Sequence, residues 1–204
     1  MLHMLLTLVI GYLLGSISSG VLLSKLVMKD DIRAHGSGNA GTTNMLRVHG
    51  RGMALMTFAG DMLKGIIAVI IGALLVGGTT GKLVGVFGAV LGHNFPLYFG
   101  FKGGKGIATS FGCLLLVFPL QTLSAFAVFL LVFFATHYVS AGSVCAAIAL
   151  PLFVILTTPF SVVNWVCIVA LGALAIWRHK PNIIRLMNHS ENKIDFAVFK
   201  GKKK

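Results

Sequence analysis

The sequence predicts an all-α polytopic membrane protein of about seven transmembrane helices, and three observations predict it. Apolar runs of about 15 to 25 residues recur from end to end, each near the length a bilayer requires. Charge is scarce: 11% of the 204 residues are charged and 56% are hydrophobic, with a mean hydropathy of +0.92. A soluble domain carries about a quarter charged residues. The polar residues that remain are gathered into three regions between apolar runs rather than scattered along the chain.

The apolar segments, in order, are about 3–27, 53–76, 82–96, 104–118, 121–137, 140–157 and 160–177. The first lacks a basic leader and an A-x-A cleavage site, so it reads as a retained span. The cluster Val76-Gly77-Gly78-Thr79-Thr80-Gly81 separates the second from the third, and Pro119 and Thr158-Pro159 mark later turns. Several segments are short, since fifteen helical residues reach only about 22 Å against a hydrocarbon core of roughly 30 Å. No internal repeat stands out, and the chain reads as one domain over 1–204.

Net charge is +12, from 17 Lys and Arg against 5 Asp and Glu. On a soluble protein this balance would suggest nucleic acid. In a membrane protein it marks cytoplasmic loops, which collect Lys and Arg. Lys29, Arg33, Arg47 and Arg51 lie in 28–52, and Lys102 and Lys105 lie near 97–105. Eight Lys and Arg lie between Arg178 and Lys204. Placing all three regions inside puts the N-terminus out and the C-terminus in, which needs an odd number of spans. Residues 195–204 then form a basic cytoplasmic tail near an anionic leaflet. Cys113, Cys145 and Cys167 sit in apolar runs without paired spacing and read as buried thiols. Neither a metal nor a cofactor is expected.

Three clusters carry candidate chemistry. In the first, HGSGNAGTTNMLR, the glycines at 36, 38 and 41 match G-x-G-x-x-G. A dinucleotide fold would need a strand before them and a soluble βαβ unit around them, whereas apolar spans flank this loop. Generic anion chemistry survives: glycine backbone N–H groups can converge on a phosphate. Ser37, Gly38, Asn39, Gly41, Thr42, Thr43, Asn44 and Arg47 supply further donors. The second cluster holds His93, Asn94, Lys102, Gly103, Gly104 and Lys105. It fails as a Walker A loop, because Phe99 and Gly106 stand at required positions. Two lysines in a glycine loop that opens a helix still suit an anion. The third, WRHKPNIIRL, offers His179, Asn182 and Arg185, with Glu191 beyond. Arg178, Asn182 and Arg185 would share a helix face if the helix ran past Pro181. Two smaller features remain. Asp61 and Lys64 stand at i and i+3 within a span, where charges are costly and either pair or serve a site. Ser143 follows an inside turn at His137-Tyr138.

Taken together, GSGNAGTTN with its following Arg47, DMLKG, GHNFP with FKGGKGIAT, and RHKPNIIRL with Glu191 resemble the bacterial acyl-phosphate:glycerol-3-phosphate acyltransferases. The resemblance covers nearly the whole chain. One departure is His189, where the family pattern has glycine after Asn188. The resemblance implies a seven-helix inner-membrane enzyme with a cytoplasmic-facing site. Such an enzyme would move a fatty acyl group from acyl phosphate to position 1 of glycerol 3-phosphate. It further implies that Ser37, the 38–44 loop and Lys64 hold the donor phosphate, while Arg47, Lys105, Ser143, His179 and Asn182 hold glycerol 3-phosphate. Its partners would be the two substrates and membrane lipids, with no nucleic acid.

The donor is already activated, so direct attack by the glycerol hydroxyl is the expected mechanism, with His179, His93 or the donor's own phosphate taking the proton. The soluble acyltransferase pattern of His, four residues and Asp is absent, as Tyr98 follows His93 and Ile184 follows His179. A transporter of small phosphorylated metabolites is the competing class. It would place its binding residues at mid-membrane on repeated halves, not on one face.

Overall fold

A computed structural model describes residues 1–194, and the basic tail expected over 195–204 lies outside the described residues. The described residues are helical, without strands, and fall into two compact units divided after Val117.

The first unit holds α1 (Leu2–Gly15), α2 (Ser19–Val27), α3 (Thr42–Leu75), α4 (Gly78–Asn94) and α5 (Ile107–Leu115). The first apolar run is thus one span interrupted at Ser16–Ser18. A break at membrane depth frees backbone groups that need new partners. Ser16 Oγ donates to the Tyr12 carbonyl at 2.8 Å and accepts from the Leu97 N–H at 3.2 Å, while the Ile17 carbonyl accepts from Lys64 Nζ at 2.7 Å. Small residues bring the helices together, as is usual where lipid supplies no hydrophobic drive between them. Gly15 of α1 lies on the Ala89 carbonyl of α4, and Gly92 of α4 lies on the Tyr12 carbonyl. Gly72 and Gly81 pair in the same way between α3 and α4, and Gly65 of α3 packs on the Thr109 carbonyl and Cys113 of α5.

The second unit holds α6 (Pro119–Thr136), α7 (Val139–Thr157), α8 (Val162–Arg178) and α9 (Lys180–Met187). Gly142 fits against the Phe129 carbonyl between α6 and α7, and Gly172 of α8 fits against Ala147 and Pro151 of α7. Between α8 and α9 the chain bends by 57°.

Four helical segments are long and apolar enough to cross a membrane: Leu2–Val27 counted through its break, Thr42–Leu75, Pro119–Thr136 and Val139–Thr157. The bent α8–α9 pair makes a fifth if it is counted as one span. The predicted segments 82–96 and 104–118 form helices of 17 and 9 residues.

Two boundaries differ from the sequence expectation. The helix expected over 53–76 begins at Thr42, because Gly41 is extended (φ −91°, ψ 172°) and caps it, and the helix runs for 34 residues with a kink at Gly50. That length is about 51 Å. A shared face for Arg178, Asn182 and Arg185 required a helix running past Pro181; the helix breaks at His179, and Pro181 takes up the first turn of a new helix, where its missing N–H costs nothing. Arg178 therefore does not share a helix with Asn182 and Arg185.

Candidate anion-binding and acyl-transfer site

Asn44 organises the first cluster. It is buried in the first turn of α3, its Oδ1 accepts the Ser37 N–H at 2.9 Å, and its Nδ2 donates to the carbonyls of Ile32, His35 and Asn39 at 3.2, 2.9 and 3.0 Å. One amide thus folds 32–39 into a loop. Asn39 Oδ1 accepts the Gly41 N–H at 2.9 Å and shapes the approach to the helix. Gly36 and Gly38 have positive φ (58° and 70°), and a side chain at 36 would meet Asn44 Oδ1. The folded loop leaves Gly36, Ser37 and Gly38 exposed at the start of α3, with Thr42, Thr43 and a half-buried Arg47 on its first turns. Asn39 and Asn44 are spent inside the loop; Ser37 and the helix start with Arg47 offer the donors.

The second cluster is tied to the first by residues that the sequence reading passed over. Arg33 Nη1 donates to the Phe99 carbonyl at 2.8 Å and to the Lys102 carbonyl at 3.4 Å, and its Nε and Nη2 donate to Asp31 at 3.0 and 2.8 Å. The Arg33 guanidinium hydrogen-bonded to Asp31 holds that carboxyl well below the usual carboxylate range. Arg33 grips both sides of Gly100 and Phe101, which take positive φ of 66° and 59°. The signal was present in the sequence: Asp30 and Asp31 are two of only five acidic residues.

Beyond that turn, the Gly104 N–H donates to the His93 carbonyl at 3.2 Å, Gly103 lies on the same carbonyl, and Gly104 lies against His93 Nε2. Lys102 is exposed and Lys105 half-buried. Asn94 is fully buried with its Oδ1 against Gly106, so it packs beneath the loop rather than facing outward. Below it, Lys64 Nζ meets Asp61 Oδ1 at 2.9 Å and His93 Nδ1 at 3.0 Å.

In the second unit, His179 caps α9 and is buried; its Nδ1 lies 2.8 Å from the Ala175 carbonyl. A carbonyl only accepts, so Nδ1 carries the proton and Nε2 is the basic nitrogen of the neutral ring. Asn182, one turn on, donates from Nδ2 to Glu191 Oε1 at 2.9 Å, and Arg185 Nε donates to Glu191 Oε2 at 2.7 Å. Asn182 Oδ1 is left as a buried acceptor without a partner among the described residues. Glu191 thereby fixes the orientation of the Asn182 amide. Ser143, on the second turn of α7, gives its hydroxyl proton to the Val139 carbonyl at 2.9 Å.

All four described carboxylates are engaged by basic side chains: Asp30 with His35, Asp31 with Arg33 and Lys25, Asp61 with Lys64, Glu191 with Arg185. None stands ready as a base, and no group of three His, Cys, Asp or Glu suited to a metal ion occurs among the described residues.

Comparison with known proteins gives a consistent answer. The family model described as glycerol-3-phosphate acyltransferase matches residues 5–189. The glycerol-3-phosphate acyltransferase of Thermoanaerobacter pseudethanolicus is 44% identical over 95% of this chain and 96% of its own, and that of Clostridioides difficile is 45% identical over 91% and 93%. The crystal structure of PlsY (YgiH), an integral membrane glycerol 3-phosphate acyltransferase in its glycerol 3-phosphate form, superposes with a TM-score of 0.89. It is 36% identical, with 98% of this chain and 99% of that one covered. Its lysophosphatidic acid form gives a TM-score of 0.85 at the same identity, over 97% and 99%.

Proposed function

The chain belongs to the glycerol-3-phosphate acyltransferase family, an integral membrane enzyme that acylates glycerol 3-phosphate to lysophosphatidic acid, and on that premise we propose how its residues divide the work. The acyl donor is acyl phosphate, and the glycerol 1-hydroxyl attacks its carbonyl directly, releasing phosphate without an acyl-enzyme. One observation carries this reading: among the described residues, neither the Ser37 nor the Ser143 hydroxyl has a histidine or carboxylate hydrogen-bonded to it. A serine nucleophile would need such a base.

The roles follow from what each group can donate or accept. Ser37, Gly38 and the helix start at Thr42 and Thr43 hold the donor phosphate, where N–H groups and the helix dipole favour an anion. Arg47 and Lys105, with Lys102, Gly103 and Gly104, hold the phosphate of glycerol 3-phosphate. His179 Nε2 and Asn182 Oδ1 are acceptors, suited to glycerol hydroxyls, and Ser143 keeps only acceptor lone pairs. His179 or the departing phosphate receives the proton. Apolar helix faces seat the acyl chain, and membrane lipids surround the enzyme. The three basic regions support a site on the cytoplasmic side of the inner membrane, with the N-terminus out, the C-terminus in, and α4 and α5 counted among seven crossings. Residues 195–204 would then be a cytoplasmic tail, and the whole chain one catalytic domain.

The test supplies purified enzyme in lipid with radiolabelled acyl phosphate and glycerol 3-phosphate. Phosphate and lysophosphatidic acid should appear together and only with both substrates present. Denaturing the protein during turnover should leave it unlabelled. Label retained on the protein would overturn direct attack.

A further inference from the structure

We infer that Lys64 is a positioning residue for the second glycine loop, acting through His93, and not a ligand of a substrate phosphate; this rests on the anion-binding role proposed for that loop. The Lys64 side chain is 6% exposed, and its ammonium is hydrogen-bonded to the Ile17 carbonyl at 2.7 Å and to His93 Nδ1 at 3.0 Å and ion-paired with Asp61 Oδ1 at 2.9 Å. An ammonium has three donors and no lone pair. With these three protein partners on so buried a side chain, Lys64 is committed to the interior rather than to a phosphate. Because it can only donate, His93 Nδ1 must accept, and the neutral ring carries its proton on Nε2. That nitrogen lies against Gly104, whose N–H is bonded to the His93 carbonyl. The ring is therefore the floor of the turn that leads from Lys102 to Lys105, and Lys64 decides which side of it bears hydrogen.

Loss of the ammonium reverses that choice. Asp61 Oδ1 stands 3.5 Å from His93 Nδ1, and Asp61 and His93 are only 1% and 4% exposed. A buried carboxylate left without its cation is costly and takes the nearest N–H. His93 supplies it by moving its proton to Nδ1, and Nε2 then turns a lone pair toward the loop. The groups facing the network are the Ile17 carbonyl from the α1–α2 break, Asp61 and Lys64 from α3, Cys113 from α5, and Gly103–Gly104.

The full-length protein is studied in lipid with ¹⁵N-histidine, His93 being assigned by loss of its signal in His93→Gln. The wild type should show His93 protonated on Nε2. Lys64→Met should move the proton to Nδ1 and raise KM for glycerol 3-phosphate about tenfold, with kcat falling less, as for a misplaced binding loop. Asp61→Asn keeps the ammonium on Nδ1 and should keep the wild-type tautomer. A wild-type ring protonated on Nδ1 would overturn the inference without recourse to any variant. So would a Lys64→Met enzyme whose tautomer is unchanged and whose KM rises for acyl phosphate alone. A wild type that makes no lysophosphatidic acid would instead overturn the functional reading and leave the tautomer result standing.

Discussion

His189 holds a left-handed backbone (φ 52°) where α9 ends, and the Ser190 N–H donates to the Arg185 carbonyl while the His189 N–H donates to that of Leu186. This is the Schellman arrangement, whose left-handed position favours glycine. A non-glycine residue there costs about 1 kcal/mol, so His189→Gly should raise the thermal midpoint and stabilise the protein by about that amount. The turn also delivers Glu191 to Asn182 and Arg185. Asp31 gives a pH prediction. Its folded pKa is depressed by Arg33, so its contribution is present above the unfolded value of about 3.9 and is lost as pH falls through the folded value. Asp31→Asn should lower stability at pH 7, and its difference from wild type in thermal unfolding should shrink below about pH 4. An undiminished difference there would count against the Arg33 clamp.

At the scale of elements, α1 and α4 approach through glycines whose replacement has different consequences by position. A Cβ at Gly92 would run into the Tyr12 carbonyl, whereas one at Gly52, on α3, meets nothing within 4 Å. Gly92→Ala should destabilise by about 1–3 kcal/mol, as overpacking does, while Gly52→Ala should change stability by no more than about 0.5 kcal/mol. Thermal unfolding in detergent measures both. Element existence was legible in the apolar runs, because burial in lipid demands them. Element ends were less so. The start of α3 at Thr42 depends on the Asn44 amide drawing together carbonyls from Ile32 to Asn39, and the break at Ser16–Ser18 depends on Lys64 and Leu97. The partners of the break lie 47 and 81 residues along the chain, and those of Asn44 lie 5 to 12 residues back in an irregular loop, so no helical periodicity announces either.

At the scale of the whole molecule, Lys and Arg outnumber acids by 17 to 5, and each described acid is already held by a basic side chain. The surplus belongs to loops and tail, which sets an orientation that cysteine labelling can check. Cysteines introduced at 102 and 180 should react with impermeant reagents only from the cytoplasmic side, and one at 78 only from the outside. The sequence by itself determined the solvent, the helical class, the glycine loops and, through its motifs, the family, because these depend on composition and short-range spacing. Tertiary structure alone decided which partners the polar side chains take. It turned Lys64, Asn44 and Glu191 onto protein partners, set His179 Nδ1 against the Ala175 carbonyl, and recruited Arg33 as a clamp between loops. The physical reason is that a polar side chain has few hydrogen bonds to give, and which partner takes them is known only once distant segments have met.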